Sequence, residues 1–142
     1  LSSLLKSLIE KANQGRIDAS IGKNINLTAK LQLLSRGIGN VLNNALQYAS
    51  KVHVTLALTK DQHHAVITIE DDGPGIPSDQ YEDVFQPFFR LEQSRNQGTG
   101  GVGLGLAITR DAIRAHAGTI ELSRADKLGG LKVTIRLPMT DH

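Results

Sequence analysis

Residues 71–105 read DDGPGIPSDQYEDVFQPFFRLEQSRNQGTGGVGLG, and the fold turns on how this stretch is read. It opens on an acidic, glycine-rich turn and ends on alternating glycines that lead straight into the helical pattern LGLAITRDAIRAH at 104–116. Just upstream, VITIE alternates apolar and polar residues as a strand does. Asp71 is therefore expected at a strand end, where its carboxylate can accept hydrogen bonds from an amino group. At the other end, Gly101, Gly103 and Gly105 reach backbone conformations closed to other residues, and the helix that follows offers unpaired N–H groups at its positive dipole end. That combination suits a phosphate. A nucleotide presents an amino group and phosphates together. The same glycines also serve as a helix cap or a tight turn, and the run by itself does not separate these readings.

A third element lies upstream, in RGIGNVLNNALQYAS at 36–50. From Leu31 to Ala49 the apolar residues Leu34, Ile38, Val41, Leu42, Ala45 and Tyr48 recur at helical spacing, which places Asn40, Asn44 and Gln47 together on the opposite flank. Asparagine in a helix interior competes for backbone hydrogen bonds and is mildly unfavourable. Two on one face are either solvated surface residues or ligands.

The chain has 142 residues, 39% of them hydrophobic, which is enough for one domain with a real core. It starts at Leu1 rather than Met and is expected to be a piece of something longer. Sixteen basic and fourteen acidic residues leave a net charge of +2, spread without runs, and aromatics make up only 4%. A nucleic-acid surface gathers its cations on one face with aromatics between them, so nucleic acid is not an expected partner. Cysteine is absent, which excludes disulfides and thiolate metal sites. No apolar run approaches the roughly 20 residues that span a bilayer, and no direct membrane contact is expected.

The remaining pattern supplies the frame. Leu1, Leu4, Leu5, Leu8, Ile9 and Ala12 form one helical stripe that Gly15 should end, and Ile21, Ile25 and Leu27 around Lys23 and Asn24 are expected to make a short strand. KVHVTLALT and AVITIED, separated by KDQHH, read as a hairpin. TIELS and LKVTIRLP are two more strands around a turn with Gly129 and Gly130, closed by Pro138. The order helix, strand, helix, strand, strand, loop, helix, strand, strand predicts a mixed sheet with its helices on one face.

Taken together, GNVLNNALQYA, DDGPGIP, VFQPFFR and GTGGVGLGLAI, in that order, resemble the ATP-binding catalytic domain of bacterial sensor histidine kinases, within the wider GHKL ATPase superfamily. HAGTIEL and GGLKVTIRLP are similar to that family's last two strands, so the resemblance covers nearly the whole chain. It implies an α/β (α+β) two-layer sandwich, the Bergerat-type ATP-binding fold, with a mixed sheet covered by about three helices on one face. Residues 1–142 would be the catalytic ATP-binding domain, with an ATP lid at about 77–103. The dimerisation and phosphoacceptor domain would lie elsewhere.

Roles follow from the same resemblance. Asn44 matches the residue that coordinates Mg²⁺ between the ATP phosphates, a role open to a neutral, hard amide oxygen. Asn40 would line the same pocket. Hydrolytic relatives such as DNA gyrase place a water-activating Glu at the position of Asn40, and an amide cannot act as that base. Asp71 would receive the adenine amino group, with Gly73 and Gly75 making the turn, Pro74 and Ile76 packing nearby, and Asp72 pointing away. Tyr48 and Thr134 are also expected to line the nucleotide pocket. Phe85, Phe88 and Phe89 would anchor the lid, Phe85 and Phe88 largely through core packing. Arg90 and Arg95 are candidates for the γ-phosphate, which a guanidinium grips in a planar fork. Gly101, Val102, Gly103, Leu104 and Gly105 would hold the phosphates through the backbone.

The chain departs from the family at Gln47, where many members carry a phosphate-binding Lys or Arg and which is still expected among the nucleotide-contacting residues, and at Ala117, where many carry Gly. His53, His63, His64 and His116 do not resemble a phosphoacceptor and are expected to be structural or surface residues. The resemblance thus implies a histidine kinase domain that uses Mg·ATP, with a dimerisation domain and a response regulator as partners, in the cytoplasmic part of an inner-membrane sensor. A hydrolysing ATPase and an inactive nucleotide-binding module are the alternative readings.

Overall fold

The computed structural model describes residues 1–12, 17–23, 25, 30–86 and 106–139. Helix α1 (Ser2–Ala12) is followed by strand β1 (Ile17–Ile21), helix α2 (Leu31–Tyr48), the hairpin strands β2 (Val52–Leu58) and β3 (His64–Asp71), helix α3 (Leu106–Ala115), and strands β4 (Thr119–Arg124) and β5 (Leu131–Pro138). Two short 3-10 turns, Ser78–Gln80 and Asp83–Phe85, follow β3.

The strands form one mixed sheet in the order β1-β2-β3-β5-β4, with β1 parallel to β2 and every other pairing antiparallel. Alternation decides its two faces. Val52, Val54 and Leu56 of β2, Ala65, Ile67 and Ile69 of β3, and Val133, Ile135 and Leu137 of β5 are buried against the helices. The intervening residues, His53, Thr55, Thr68, Glu70, Lys132 and Thr134 among them, lie on the other face. From the helical side, Leu34, Ile38, Val41, Leu42 and Ala45 of α2, Ile113 and Leu106 of α3, and Leu5 of α1 complete the core. At about 25 cal/mol per Å², burying such side chains is the main term favouring the sheet-on-helix arrangement.

The expectation of a two-layer sandwich with helices on one face holds. The first strand corrects it in detail: β1 ends at Ile21, before Lys23, and Ile25 lies beyond it. Ser2 is the reason. Its Oγ donates to Gly22 O at 2.6 Å and accepts from Ile25 N–H at 3.0 Å, so the chain leaves the sheet at Gly22 and wraps over the start of α1. Asn24 and Leu27 lie outside the described residues.

Two features fix the helices that border the site. α2 has no side-chain cap of its own; the Lys30 N–H at its start donates instead to His116 Nε2 at 2.9 Å. α3 ends in a Schellman motif, in which Gly118 N–H donates to Ile113 O at 2.9 Å and Ala117 N–H to Arg114 O at 3.0 Å. Ala117 holds the left-handed conformation this motif demands, at φ 58°.

Candidate functional site

One cavity lies between α2, the end of β3 and the start of α3. Val41, Asn44, Ala45 and Tyr48 line it from α2, Ile69 and Asp71 from β3, Pro74, Gly75 and Ile76 from the following turn, Leu106 from α3, and Leu131 and Val133 from β5. The walls are apolar except at Asp71 and the α2 amide face. Such walls suit a flat, largely apolar ligand that carries a hydrogen-bond donor for the carboxylate.

Asp71 is the last residue of β3 and is 7% exposed. Its Oδ1 accepts two backbone hydrogen bonds, from Gly73 N–H at 3.0 Å and Leu131 N–H at 3.1 Å. Burial raises its carboxyl above the ordinary value; the N–H groups of Leu131 and Gly73 work the other way, and neighbouring Asp72 adds to the rise. Both donors use the same oxygen, so among the described residues Oδ2 is the one not engaged by the backbone. Asp72, as expected, faces elsewhere. Its Oδ1 accepts from Ser50 N–H at 2.8 Å and Lys51 N–H at 2.9 Å, which ties the segment after α2 to the end of β3.

Close backbone approach explains the glycines around the carboxylate. A Cβ on Gly130 would fall on the Asp71 carboxylate and within 2.7 Å of Gly73 N, and one on Gly73 would come within 2.7 Å of Tyr48 O. Gly75 sits at φ 73°, a conformation L side chains rarely adopt. The turn after β3 and the β4–β5 turn are thus free of side chains where they close on Asp71, so that it can be gripped by main chain.

Of the expected site residues, the structure brings Asn44, Tyr48, Asp71, Gly75 and Ile76 to the cavity, with Gly73 directly behind Asp71. Asn40 is half-buried one turn before Asn44 on the same flank of α2. Gln47 is exposed and does not line the cavity. Thr134 is a correction. It pairs with Thr68 and Glu121 on the face away from the helices, because alternation along β5 gives the cavity side to Leu131 and Val133. Arg90, Arg95, Gly101, Val102, Gly103, Leu104 and Gly105 lie outside the described residues, as do Phe88 and Phe89. Phe85 is 5% exposed and packs in the core, with the Arg110 guanidinium 4.6 Å from its ring centroid. Sequence reasoning missed Leu131 and Gly130. The signal available was LKVTIRLP itself, whose alternation puts Leu131 and Val133 on one side.

The amide oxygens of Asn40 and Asn44 fit Mg²⁺, a hard cation that takes few protein ligands beside water and phosphate. Among the described residues no group of three or more His, Cys, Asp or Glu could hold a metal, so a metal here would rest on amides and its ligand. No described helix is long and apolar enough to cross a membrane.

Sheet order, helical layer and a carboxylate-floored apolar cavity beside an amide-bearing helix define a two-layer α/β sandwich with a cavity between its layers. Residues 29–141 match the family of histidine kinase-, DNA gyrase B- and HSP90-like ATPases, and the chain belongs to that family. The sensor histidine kinase CpxA of Escherichia coli K12 is 40% identical over 107 residues, which are 75% of this chain and 23% of CpxA. Among solved structures, the histidine kinase domain of the E. coli osmosensor EnvZ superposes with a TM-score of 0.74 at 29% identity, covering 100% of this chain and 88% of that one. The catalytic domain of histidine kinase ThkA reaches 0.80 at 24% identity, covering 99% and 93%, which shows the shared fold. The chain spans less than a quarter of CpxA's length.

Proposed function

We propose that this domain binds Mg·ATP and, joined to a dimerisation domain that carries a phosphoacceptor histidine, donates the γ-phosphoryl group to that histidine for relay to a response regulator. The observation that carries this reading is the convergence of Asp71, Asn44 and Tyr48 on one apolar cavity in a chain of this family. The adenine lies against Val41, Ile69 and Leu131, with its amino group donating to the Asp71 carboxylate. Asn44, with Asn40 one turn away, holds the metal. The metal supplies charge neutralisation on the phosphates when bound. Backbone groups of 101–105 and the guanidinium groups of Arg90 and Arg95 grip the phosphates in this reading, on the strength of their sequence motifs.

The chemistry left to the domain is positioning and electrostatics. A nitrogen of the acceptor imidazole attacks the γ-phosphorus, the bond from that phosphorus to the β–γ bridging oxygen breaks, and ADP departs. An amide at Asn40 cannot take a proton from water, which favours holding ATP for an external acceptor over hydrolysing it. Residues 77–103 act as the lid over the nucleotide, the whole of 1–142 is the catalytic domain, and the parent is a sensor whose kinase part lies in the cytoplasm beneath an inner membrane. The relationship to CpxA, named a sensor histidine kinase, supports this assignment.

The test supplies the parent's dimerisation helices and follows label from γ-labelled ATP. Acid-labile, base-stable label on protein is the expected result. Free phosphate without labelled protein would instead establish a hydrolysing ATPase, and an unbound, unchanged nucleotide would contradict both.

A further inference from the structure

The two helices that flank the cavity, α2 with its amides and α3 with Leu106 in its first turn, meet at a crossing whose construction is specific. A Cβ on Gly37 would stand 3.0 Å from Ala112 Cβ and 3.3 Å from Thr109 Cα, so the helices touch there through α2 backbone. Thr109 has no exposed surface, and its hydroxyl donates to Gly37 O at 2.7 Å. Gly37 stands three residues before Asn40. Just past the end of α3, His116 accepts the Lys30 N–H and bonds Ala112 O through Nδ1 at 2.7 Å, so α3 is tied to α2 at two points.

Apolar contact alone lets two helices slide or roll by small amounts, because dispersion has no direction. A buried hydroxyl aimed at one carbonyl removes that freedom. Valine would fill the space of Thr109 without a hydroxyl to satisfy, and helix α2 can satisfy its own carbonyls. The threonine therefore adds register between the helices rather than volume.

We infer that Thr109 is a positioning residue of the nucleotide site: its hydrogen bond to Gly37 sets the amide face of α2 in register with the first turn of α3. It bears on the grip on the metal-bearing phosphates more than on the grip on the base, because the base, although it also touches Val41 of α2, is anchored through Asp71, whose carboxylate is held by Gly73 and Leu131 N–H away from this crossing. This rests on the Mg·ATP reading of the site.

The test compares Thr109→Val and Thr109→Ser with the wild-type chain by calorimetry, using adenosine, ATP without metal, and ATP with Mg²⁺. Thr109→Val should lose roughly tenfold in affinity for Mg·ATP, the scale of one hydrogen bond and a sub-ångström misplacement, and distinctly less for adenosine. Thr109→Ser should restore it. Thr109→Ala, which removes the hydroxyl without crowding the crossing, decides the same question if the valine variant does not fold. Unchanged Mg·ATP affinity in the hydroxyl-free variant, or equal losses for adenosine and Mg·ATP, overturns the inference. Wild-type chain that binds no adenine ligand at all overturns the Mg·ATP reading beneath it, which is a different outcome.

Discussion

Leu131 N–H reaches back sixty residues in the chain to donate a 3.1 Å hydrogen bond to Asp71 Oδ1, the oxygen that also accepts from Gly73. The carboxylate on the cavity wall is therefore oriented by main chain from the turn after β3 and from the first residue of β5. Main chain gives the most rigid support available to a side chain, and it requires Gly130, immediately before Leu131, to leave room.

Gly130→Ala is expected to be among the most damaging single-methyl additions in the chain. Its Cβ meets the Asp71 carboxylate and the Gly73 nitrogen, neither of which is the free end of a flexible side chain. A loss of about 3 kcal/mol follows from overpacking against backbone. Thermal denaturation checks it, and adenosine binding should fall in parallel because Asp71 is displaced.

The adjacent carboxylates should respond to pH with opposite signs. The N–H bond from Lys51 leads in holding Asp72 below its ordinary value of 3.8, so its stabilisation is present above that pH and is lost as pH falls through the lower folded value. Asp71 is raised by burial, so its favourable contribution is present below 3.8 and is lost as pH rises through the raised value. Asp72→Asn should thus cost on the order of 0.5 kcal/mol at pH 7, given its solvent screening, and nothing once pH is well below 3.8. Urea melts of wild type and variant across pH 2.5–7 measure the gap, which should close at the acid end.

Much of this was legible in the sequence because it rests on local periodicity. α2 repeats its apolar positions every third or fourth residue, β2 and β3 alternate about a short polar turn, and Asp71 follows directly on a strand pattern. What was not legible depends on partners distant in the chain. Whether Thr134 or Val133 faces the cavity is set by the register of β5 on β3, where Val133 pairs with Ile69. Gly130 reads as an ordinary turn glycine until Asp71 is seen beside it. β1 carries three exposed residues in five, so alternation gave little to detect, and its end is decided by the Ser2 hydroxyl. Gln47 shares the broad polar flank of α2 with Asn44, yet only Asn44 reaches the cavity.

Ala117→Gly should stabilise the domain. Alanine at φ 58° carries a steric penalty that glycine lacks, partly offset by glycine's greater freedom when unfolded. A gain of about 1 kcal/mol, read as a rise in melting temperature with nucleotide affinity unchanged, is expected. A fall in melting temperature would mean that the alanine methyl packs favourably enough to outweigh the strain.

Asn44→Ala should separate metal from base. If Asn44 holds the metal as proposed, removing its amide oxygen takes away a ligand of a cation that accepts few from protein, so ATP with Mg²⁺ should bind the variant no more tightly than ATP alone. Adenosine affinity should fall far less, since Asn44 is one of several side chains lining the base cavity. Titrations with and without Mg²⁺ give the answer directly.

The most direct measurement of all is ATP binding by Asp71→Asn. Asparagine can keep its Oδ1 on Gly73 and Leu131 but turns an NH₂ where the second carboxylate oxygen stood, so an adenine amino group would meet a donor instead of an acceptor. Relief of a buried charge should leave the variant folded and at least as stable as wild type at pH 7. Calorimetry should then show ATP affinity lowered by roughly a hundredfold, the scale of leaving buried polar groups unpaired. A folded variant that binds ATP as tightly as wild type would contradict the assignment of this cavity to the adenine base.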